Sequence, residues 1–308
     1  MSTFGCIEAG GTKFMCAVGT GPGDLTVASF PTSSPKVTLK SVAEFFRREA
    51  GERLDAVGIG SFGPVDLDRQ SASFGYITST PKIEWQNYDL AGFFHGEFGV
   101  PVGFDTDVNA AALGEARWGA GRGISDFVYI TVGTGIGGGA IVRGEVVHGL
   151  VHPEMGHIRI PHDFGRDSFR GGCPYHQDCL EGLASGPAME ARWGMPPQQL
   201  PTDHPGWQLE AHYLALGLAT WVCTLSPQRI VIGGGVMQHE QLFPMVRREL
   251  TRLLNGYVRA REIMDDIEQY VVPPKLSNRA GLLGAMVLAE RAYRDVHSAV
   301  GAAAAEDK

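Results

Sequence analysis

Val128-Tyr129-Ile130-Thr131-Val132-Gly133-Thr134-Gly135-Ile136-Gly137-Gly138-Gly139-Ala140-Ile141-Val142 reads as an apolar strand, a turn of glycine and threonine, and an apolar strand that returns. Cys6 to Val18 repeats the plan around Gly10-Gly11-Thr12-Lys13. A β-hairpin with a phosphate-sized turn, used once in each half, predicts two related lobes facing a cleft. A third cluster, Gly233-Gly234-Gly235, follows the strand-like Ile230-Val231-Ile232. The chain has 42 glycines, about twice the usual ~7% share, and they gather at strand exits. There, glycine lets backbone amides turn to a ligand with no side chain between.

Gly133-x-Gly135-x-x-Gly138 also fits the dinucleotide pattern, but such a loop opens a helix. Here Ala140-Ile141-Val142 continues as a strand, and Arg143-Gly144-Glu145 as a turn. The first turn is not a Walker A loop either, which needs Gly-x-x-x-x-Gly-Lys-Ser/Thr. What both turns offer is converging N–H donors and hydroxyls, with Lys13 as a cation, the set that triphosphate oxygens need. A plain hairpin turn is the alternative at Gly10 to Lys13. Thr134 stands between glycines, where its hydroxyl reaches a β- or γ-phosphate while backbone around Gly135 holds the others. Gly234 and Gly235 give flat backbone for an adenine or ribose, and Gly281 opens the last helix in the same way. A strand-to-helix turn accounts equally for Gly233 to Gly235.

Between the glycine clusters, strands alternate with helices. Lys40 to Glu49 has helical spacing with Ser41 as a candidate cap, Val57 to Ile59 and Val102 to Phe104 are strand-like, and Asn109 to Trp118 is helical. Trp207 to Leu225 and Gly281 to Arg294 are apolar helices, and a further helix is predicted from near Glu240. The class is α/β with mixed sheets. The expected division is a small lobe of 1–108, completed by a C-terminal helix from about 292–308, and a large lobe of 109–291. Ala302 to Lys308 reads as a frayed tail.

A chain of 308 residues with net charge −8 and scattered Lys and Arg is long enough for two cores, and its charge argues against nucleic acid or anionic membrane as partner. The opening residues show no charged and apolar leader, and no apolar run approaches the ~18–20 residues of a membrane span. The expected compartment is the cytoplasm. Five cysteines do not make a disulfide framework, and Cys6, Cys16 and Cys223 sit in apolar runs as core residues.

Cys173-x-x-His176-x-x-Cys179, with His157 fifteen residues upstream, supplies four ligands suited to tetrahedral Zn²⁺. Four protein ligands leave no open position, so the metal's role is structural. Incidental thiols or a Cys173–Cys179 disulfide are the alternatives, and His148, His152 and His162 could replace His157. Asp105-Thr106-Asp107-Val108-Asn109 lies between a strand and a helix. A carboxylate there can take the proton of an attacking hydroxyl, or cap the helix, and local spacing does not choose between the two aspartates. Glu154 and Glu181 flank the zinc ligands. Carboxylates suit polyols because each accepts from two neighbouring hydroxyls, and a zinc-fixed loop would hold both still.

Together these stretches resemble the ROK sugar kinases, most closely their fructokinase branch, from about Gly5 to Ala289. The resemblance rests on Glu8-Ala9-Gly10-Gly11-Thr12-Lys13, Gly60-Ser61-Phe62-Gly63-Pro64-Val65-Asp66, Asp107-Val108-Asn109-Ala110-Ala111, Gly133 to Gly138, Pro153-Glu154-Met155-Gly156-His157 and Cys173 to Glu181. It implies an actin/hexokinase-like (ribonuclease H-like) fold with ATP and sugar between two hinged lobes. It also implies Asp107 as catalytic base, Glu154, His157 and Glu181 in the sugar pocket with Gly63 and Thr106 on the substrate side, and a homodimer. Glu8 stands where the common pattern has Asp, Thr106 where it has Asn, and His176 where glucokinase-type members have Cys. With Thr80-Pro81-Lys82-x-x-Trp85, these departures look like the fructokinase branch.

The expected reaction is in-line phosphoryl transfer to fructose, with Mg²⁺, Thr12 and Thr134 offsetting the γ-phosphate charge. Glucose, mannose and N-acetylmannosamine are alternative acceptors. A sugar-sensing regulator of the same fold is a rival reading, though such proteins carry a DNA-binding domain ahead of the first turn, which here begins at Gly10. A nicotinamide-dependent oxidoreductase is another.

Overall fold

The computed structural model describes residues 2–51 and 53–306, with side chains described to 298. The chain forms β1 (Thr3–Ala9), β2 (Lys13–Gly19), β3 (Thr26–Pro31), α1 (Pro35–Ala50), β4 (Leu54–Ser61), β5 (Tyr76–Ile77), β6 (Tyr88–Asp89), α2 (Leu90–Phe98), β7 (Val102–Thr106) and α3 (Asp107–Trp118). There follow β8 (Phe127–Val132), β9 (Ile136–Val142), β10 (Glu145–Val146), α4 (Leu180–Ala184), α5 (Gly186–Trp193), α6 (Gly206–Leu225), β11 (Arg229–Gly233), α7 (Leu242–Leu254), α8 (Arg261–Met264), α9 (Ile267–Tyr270), β12 (Val271–Val272) and α10 (Ala280–Glu306). Two compact units result. One holds 1–118, 148–152 and 278–308, and the other 119–147 and 153–277.

Each unit is built on a five-stranded mixed sheet of the same plan, in the order β3-β2-β1-β4-β7 in the first unit and β10-β9-β8-β11-β12 in the second. In each, an antiparallel hairpin leads and two further strands lie parallel to its first strand. The repeat in the sequence is thus a repeat of sheet topology.

In the first unit the strands alternate strictly. Ile7, Phe14, Cys16 and Ile59 face α1 and α2 through Leu39, Val42, Phe45, Phe46 and Phe94. Phe4, Cys6, Ala17 and Ala56 face α10 through Leu282, Ala285, Met286 and Ala289. Period-two burial on both faces requires apolar residues throughout the strand. The approach of α10 is backbone to backbone. A Cβ at Gly58 would lie 1.7 Å from the Ala285 carbonyl oxygen, one at Gly103 2.2 Å from that of Leu288, and one at Gly284 1.5 Å from that of Ala110 on α3. In the second unit, α6 and α7 cover the sheet, and Leu242, Val246, Leu250 and Leu254 form the buried stripe of α7 at a spacing of four.

Several expectations are corrected. Helix α1 begins at Pro35, five residues before the expected start, because proline suits the first helical position. Ser41 is not its cap but lies inside it, its hydroxyl donating to the Val37 carbonyl. Cys223 lies in α6 as expected but is exposed, on the solvent side of a largely apolar helix. Residues 236–238 form a 3₁₀ turn, so α7 starts at Leu242 rather than Glu240. By contacts the units divide at Trp118 and Asn278, and α3 and α10 pack on each other and on the first sheet. Of the expected frayed tail, Asp307 and Lys308 lie outside the described residues, and the backbone of 302–306 continues α10. Among the described residues, no helix is long and apolar enough to cross a membrane.

The α3–α10 crossing yields a stability prediction. Gly284→Ala drives a methyl into the Ala110 carbonyl and is expected to cost about 2–3 kcal/mol, read as a fall in calorimetric Tm. Gly21→Ala, whose Cβ meets nothing within 4 Å, serves as a control expected to change stability by less than about 0.5 kcal/mol.

Candidate active site

In the first unit the turn between β1 and β2 closes through Gly10 N–H donating to the Lys13 carbonyl at 3.0 Å. A Cβ on Gly10 would sit 2.8 Å from that same oxygen, so the residue must be glycine. The residue after β3 ties the turn down, as Thr32 N–H donates to the Thr12 carbonyl (2.9 Å) and the Thr32 hydroxyl to that of Gly10 (2.7 Å). Thr12 and Lys13 stay exposed. Glu8, just before the turn, faces α10. A Cβ on Gly281 would lie 2.3 Å from its carboxyl carbon. Gly281 therefore makes room for Glu8.

The aspartate ambiguity resolves. Asp105 is buried and committed. It accepts from Thr106 N–H and from Asn109 Nδ2, each at 2.7 Å, and meets His148 Nε2 at 2.9 Å. That hydrogen bond holds the His148 imidazole above its ordinary pKa, against the opposing effect of burial. The cap of α3 is neither aspartate but Thr106, whose hydroxyl accepts from Asn109 N–H at 3.1 Å. Asp107 is half-buried at the first position of α3, its Oδ1 accepting from Val108 N–H at 2.9 Å. Its charge is felt by Glu8. Burial, then Asp107, push the Glu8 carboxyl up to about 7, against the pull of Lys13.

Gly63 lies at a cis Gly63–Pro64 bond. His152, buried, packs beside it and accepts from Val65 N–H through Nε2 at 3.2 Å. The two histidines of 148–152 are thus spoken for within the first unit, one on Asp105 and one on Val65.

In the second unit, the turn Met155–His157 packs on the hairpin β8–β9, where a Cβ on Gly156 would lie 1.7 Å from the Ile136 carbonyl oxygen. Glu181, in the first turn of α4, reaches the same hairpin. Its Oε2 accepts from Ile136 N–H at 2.9 Å, and Gly135 lacks the side chain that would block it. His157 uses both ring edges, with Nε2 3.8 Å from Glu181 Oε1 and Nδ1 3.7 and 3.6 Å from the sulfurs of Cys173 and Cys179. His176 Nδ1 is 3.7 Å from the Cys173 sulfur. Zn–S of ~2.3 Å and Zn–N of ~2.0–2.1 Å at a tetrahedral angle imply S···N separations of about 3.6 Å. The donor set therefore fits a tetrahedral soft cation, with all four ligand atoms within 4.8 Å of one another. His162 is turned away, towards Asp167 and Asp178, so His157 is the fourth member. Glu154 is exposed just ahead of this turn, its carbonyl accepting from His157 N–H.

The strand ends of this unit meet at glycine. Gly234 has φ +96°, and a Cβ there would lie 2.3 Å from the Val132 carbonyl oxygen. Gly133 N–H donates to the Gly135 carbonyl at 2.8 Å, and Gly186 N–H donates to that of Gly133 at 2.8 Å. Thr134 is exposed on this turn and Gly235 begins the following 3₁₀ turn. The sequence reading missed Gly186, which docks the first turn of α5 on the loop. Ser185, whose side chain caps α5, and Pro187 in its first turn were the available signal. It also gave Lys82 no role, although the side chain of that residue crosses the Gly11 turn.

Comparison with known proteins follows this geometry. The profile of the ROK family matches residues 4–292. A fructokinase of Zymomonas mobilis is 46% identical, covering 93% of this chain and 96% of that one. One of Streptococcus mutans is 41% identical, covering 94% and 97%. The crystal structure of a ROK family glucokinase from Streptomyces griseus, in complex with glucose and AMPPNP, superposes with a TM-score of 0.74 at 27% identity, covering 94% of this chain and 100% of that one.

Glu8 generates a pH prediction. Unfolded, its carboxyl ionises near ~4.3, whereas in the fold it keeps its proton to about 7. Between these values the folded form binds more protons, so the stability it contributes is present below the unfolded pKa and lost as pH rises through the folded one. Without metal or nucleotide, Glu8→Gln is expected to gain on the wild type as pH goes from 5 to 8. The gain, on the order of 3 kcal/mol at most, is read as the difference in thermal unfolding. A pH-independent difference refutes the shift.

Proposed function

This chain belongs to the ROK family, and we propose that it transfers the terminal phosphoryl group of ATP to D-fructose, giving fructose 6-phosphate. It is an ATP-dependent sugar kinase of actin/hexokinase-like fold. The observation that carries the choice of sugar is the 39–46% identity, over nearly the whole chain, to relatives named fructokinase, against 29% to those named glucokinase.

Asp107 is the base. It accepts the hydroxyl proton as the sugar oxygen bonds to the γ-phosphorus and the bond from that phosphorus to the bridging oxygen breaks, leaving ADP. Backbone amides of the turns Gly10-Gly11-Thr12-Lys13 and Thr134-Gly135, with the two threonine hydroxyls, bind phosphate oxygens, while Gly234 and Gly235 lie under the nucleoside. Gly281 offers its backbone to the nucleotide as well as room to Glu8. Mg²⁺ bound with the nucleotide would supply further charge neutralisation. In the second unit Glu154, Glu181 and His157 Nε2 bind sugar hydroxyls, and in the first Gly63 and Thr106 serve the substrate through backbone and hydroxyl.

Zinc, held by His157 Nδ1, Cys173, His176 and Cys179, would fix the loop that carries Glu181 and orient His157. Burial pushes the Cys179 thiol up to about 11, a preference that a coordinated cation reverses. A homodimer and a cytoplasmic site of action complete this reading.

Rates of ADP release across fructose, glucose, mannose and N-acetylmannosamine test it. Fructose is expected to give the highest kcat/KM, and no ADP with any of them would sink the assignment. Asp107→Asn should keep fructose binding and lose ~10²–10⁴-fold in kcat. Elemental analysis is expected to find about one zinc per chain. Cys173→Ser should lose the metal and lower Tm, and a metal-free wild type of full stability would refute the site.

A further inference from the structure

We propose that Lys82 is a catalytic residue of this phosphoryl transfer, its ammonium bound to the terminal phosphate of the nucleotide at the Gly10-Gly11-Thr12-Lys13 turn. The inference rests on the kinase reading and adds to it a cation from a separate loop.

The loop of 78–87 is built onto that turn. Trp85, only 2% exposed, packs on Phe14, which follows Lys13 directly, with centroids 5.2 Å apart and rings tilted by 37°, and its Nε1 donates to the Ser33 carbonyl at 2.8 Å. Ser33 adjoins Thr32, which pins the turn from the other side. Within the loop, Gln86 Nε2 donates to the carbonyl of buried Thr80 at 2.7 Å, Trp85 N–H to that of Lys82 at 2.9 Å, and Lys82 N–H to the Thr80 hydroxyl at 3.4 Å. Backbone and aromatic anchors therefore fix where the Lys82 side chain starts.

From there its stem runs across Gly11. A Cβ on Gly11 would meet Lys82 Cε at 3.6 Å, an ordinary van der Waals contact, and nothing else within 4 Å. The ammonium is one bond beyond that carbon. Lys82 is half-buried, and among the described residues no carboxylate or carbonyl takes its ammonium. Lys13, in contrast, is exposed. Of the two lysines at the turn, Lys82 is the half-buried one, its stem held against Gly11. The ligand that a turn of backbone amides and a lone ammonium share is a phosphoryl group, on which a lysine acts as a point charge. During transfer the three equatorial oxygens carry the charge it would meet.

Lys82→Met keeps the stem and removes the charge, and Lys82→Arg keeps the charge. The expected result for Lys82→Met is a kcat fall of about 100-fold with KM for fructose nearly unchanged. AMPPNP binding should weaken about tenfold, the scale of one charged hydrogen bond, while ADP binding holds, and Lys82→Arg should recover AMPPNP affinity. Equal weakening of ADP and AMPPNP, or turnover within threefold of wild type, overturns the proposal. So does weaker inhibition by fructose 6-phosphate with AMPPNP binding intact, which would put the ammonium on the sugar phosphate. The binding arms need no turnover. A wild type inactive on fructose would refute the sugar assignment, while the AMPPNP and ADP comparison would still decide Lys82.

Discussion

Helix α10 lies against β4, β7 and α3 with its backbone where side chains would otherwise stand. Gly58, Gly103 and Gly284 leave no Cβ in the way. The chemistry of the first unit depends on this approach, because two of its carboxylates are placed by it. Gly281, in the first turn of α10, admits the Glu8 side chain, and α3, held against α10 along its length, carries Asp107 at its first residue. The cost of crowding a carboxylate there is visible in the Glu8 carboxyl, raised to about 7 by burial and by its neighbour Asp107.

The second unit solves the equivalent problem with ligands in place of glycine. The segment 157–179 has little regular structure, and it brings together a compact set of sulfur and imidazole donors beside the docking of Gly156 on Ile136. His157 links the two functions of that segment, one ring nitrogen turned to the sulfurs and the other towards Glu181. Fixing one edge of an imidazole by a metal also fixes what the other edge offers a ligand. The same sheet order in both units shows that one architecture has been given two means of holding its polar side chains still.

Much of this was legible in the chain. The two hairpins, the parallel strands after them and the His157, Cys173, His176 and Cys179 cluster appear where strand period, glycine placement and residue spacing put them, because each is a local pattern. The missing pieces were those with no local pattern. Asp105 and Asp107 are indistinguishable by spacing, and they differ only because Asn109 and the distant His148 claim one of them. The start of α1 was misplaced by weighting Ser41 over Pro35, a local signal that was present and passed over. Cys223 was misjudged because a nearly all-apolar helix does not reveal which of its faces is left to solvent.

The sequence by itself determined the α/β class, the repeated glycine hairpin, the cluster of His157, Cys173, His176 and Cys179 and the family, since these follow from residue type and short-range order. Only the tertiary structure decided which aspartate is committed to scaffolding, that Gly281 serves Glu8, that Gly186 docks α5 on the second turn, and that Lys82 crosses Gly11 seventy-one positions away. Those are contacts between segments far apart in the chain, and their energies depend on distances that no local spacing encodes.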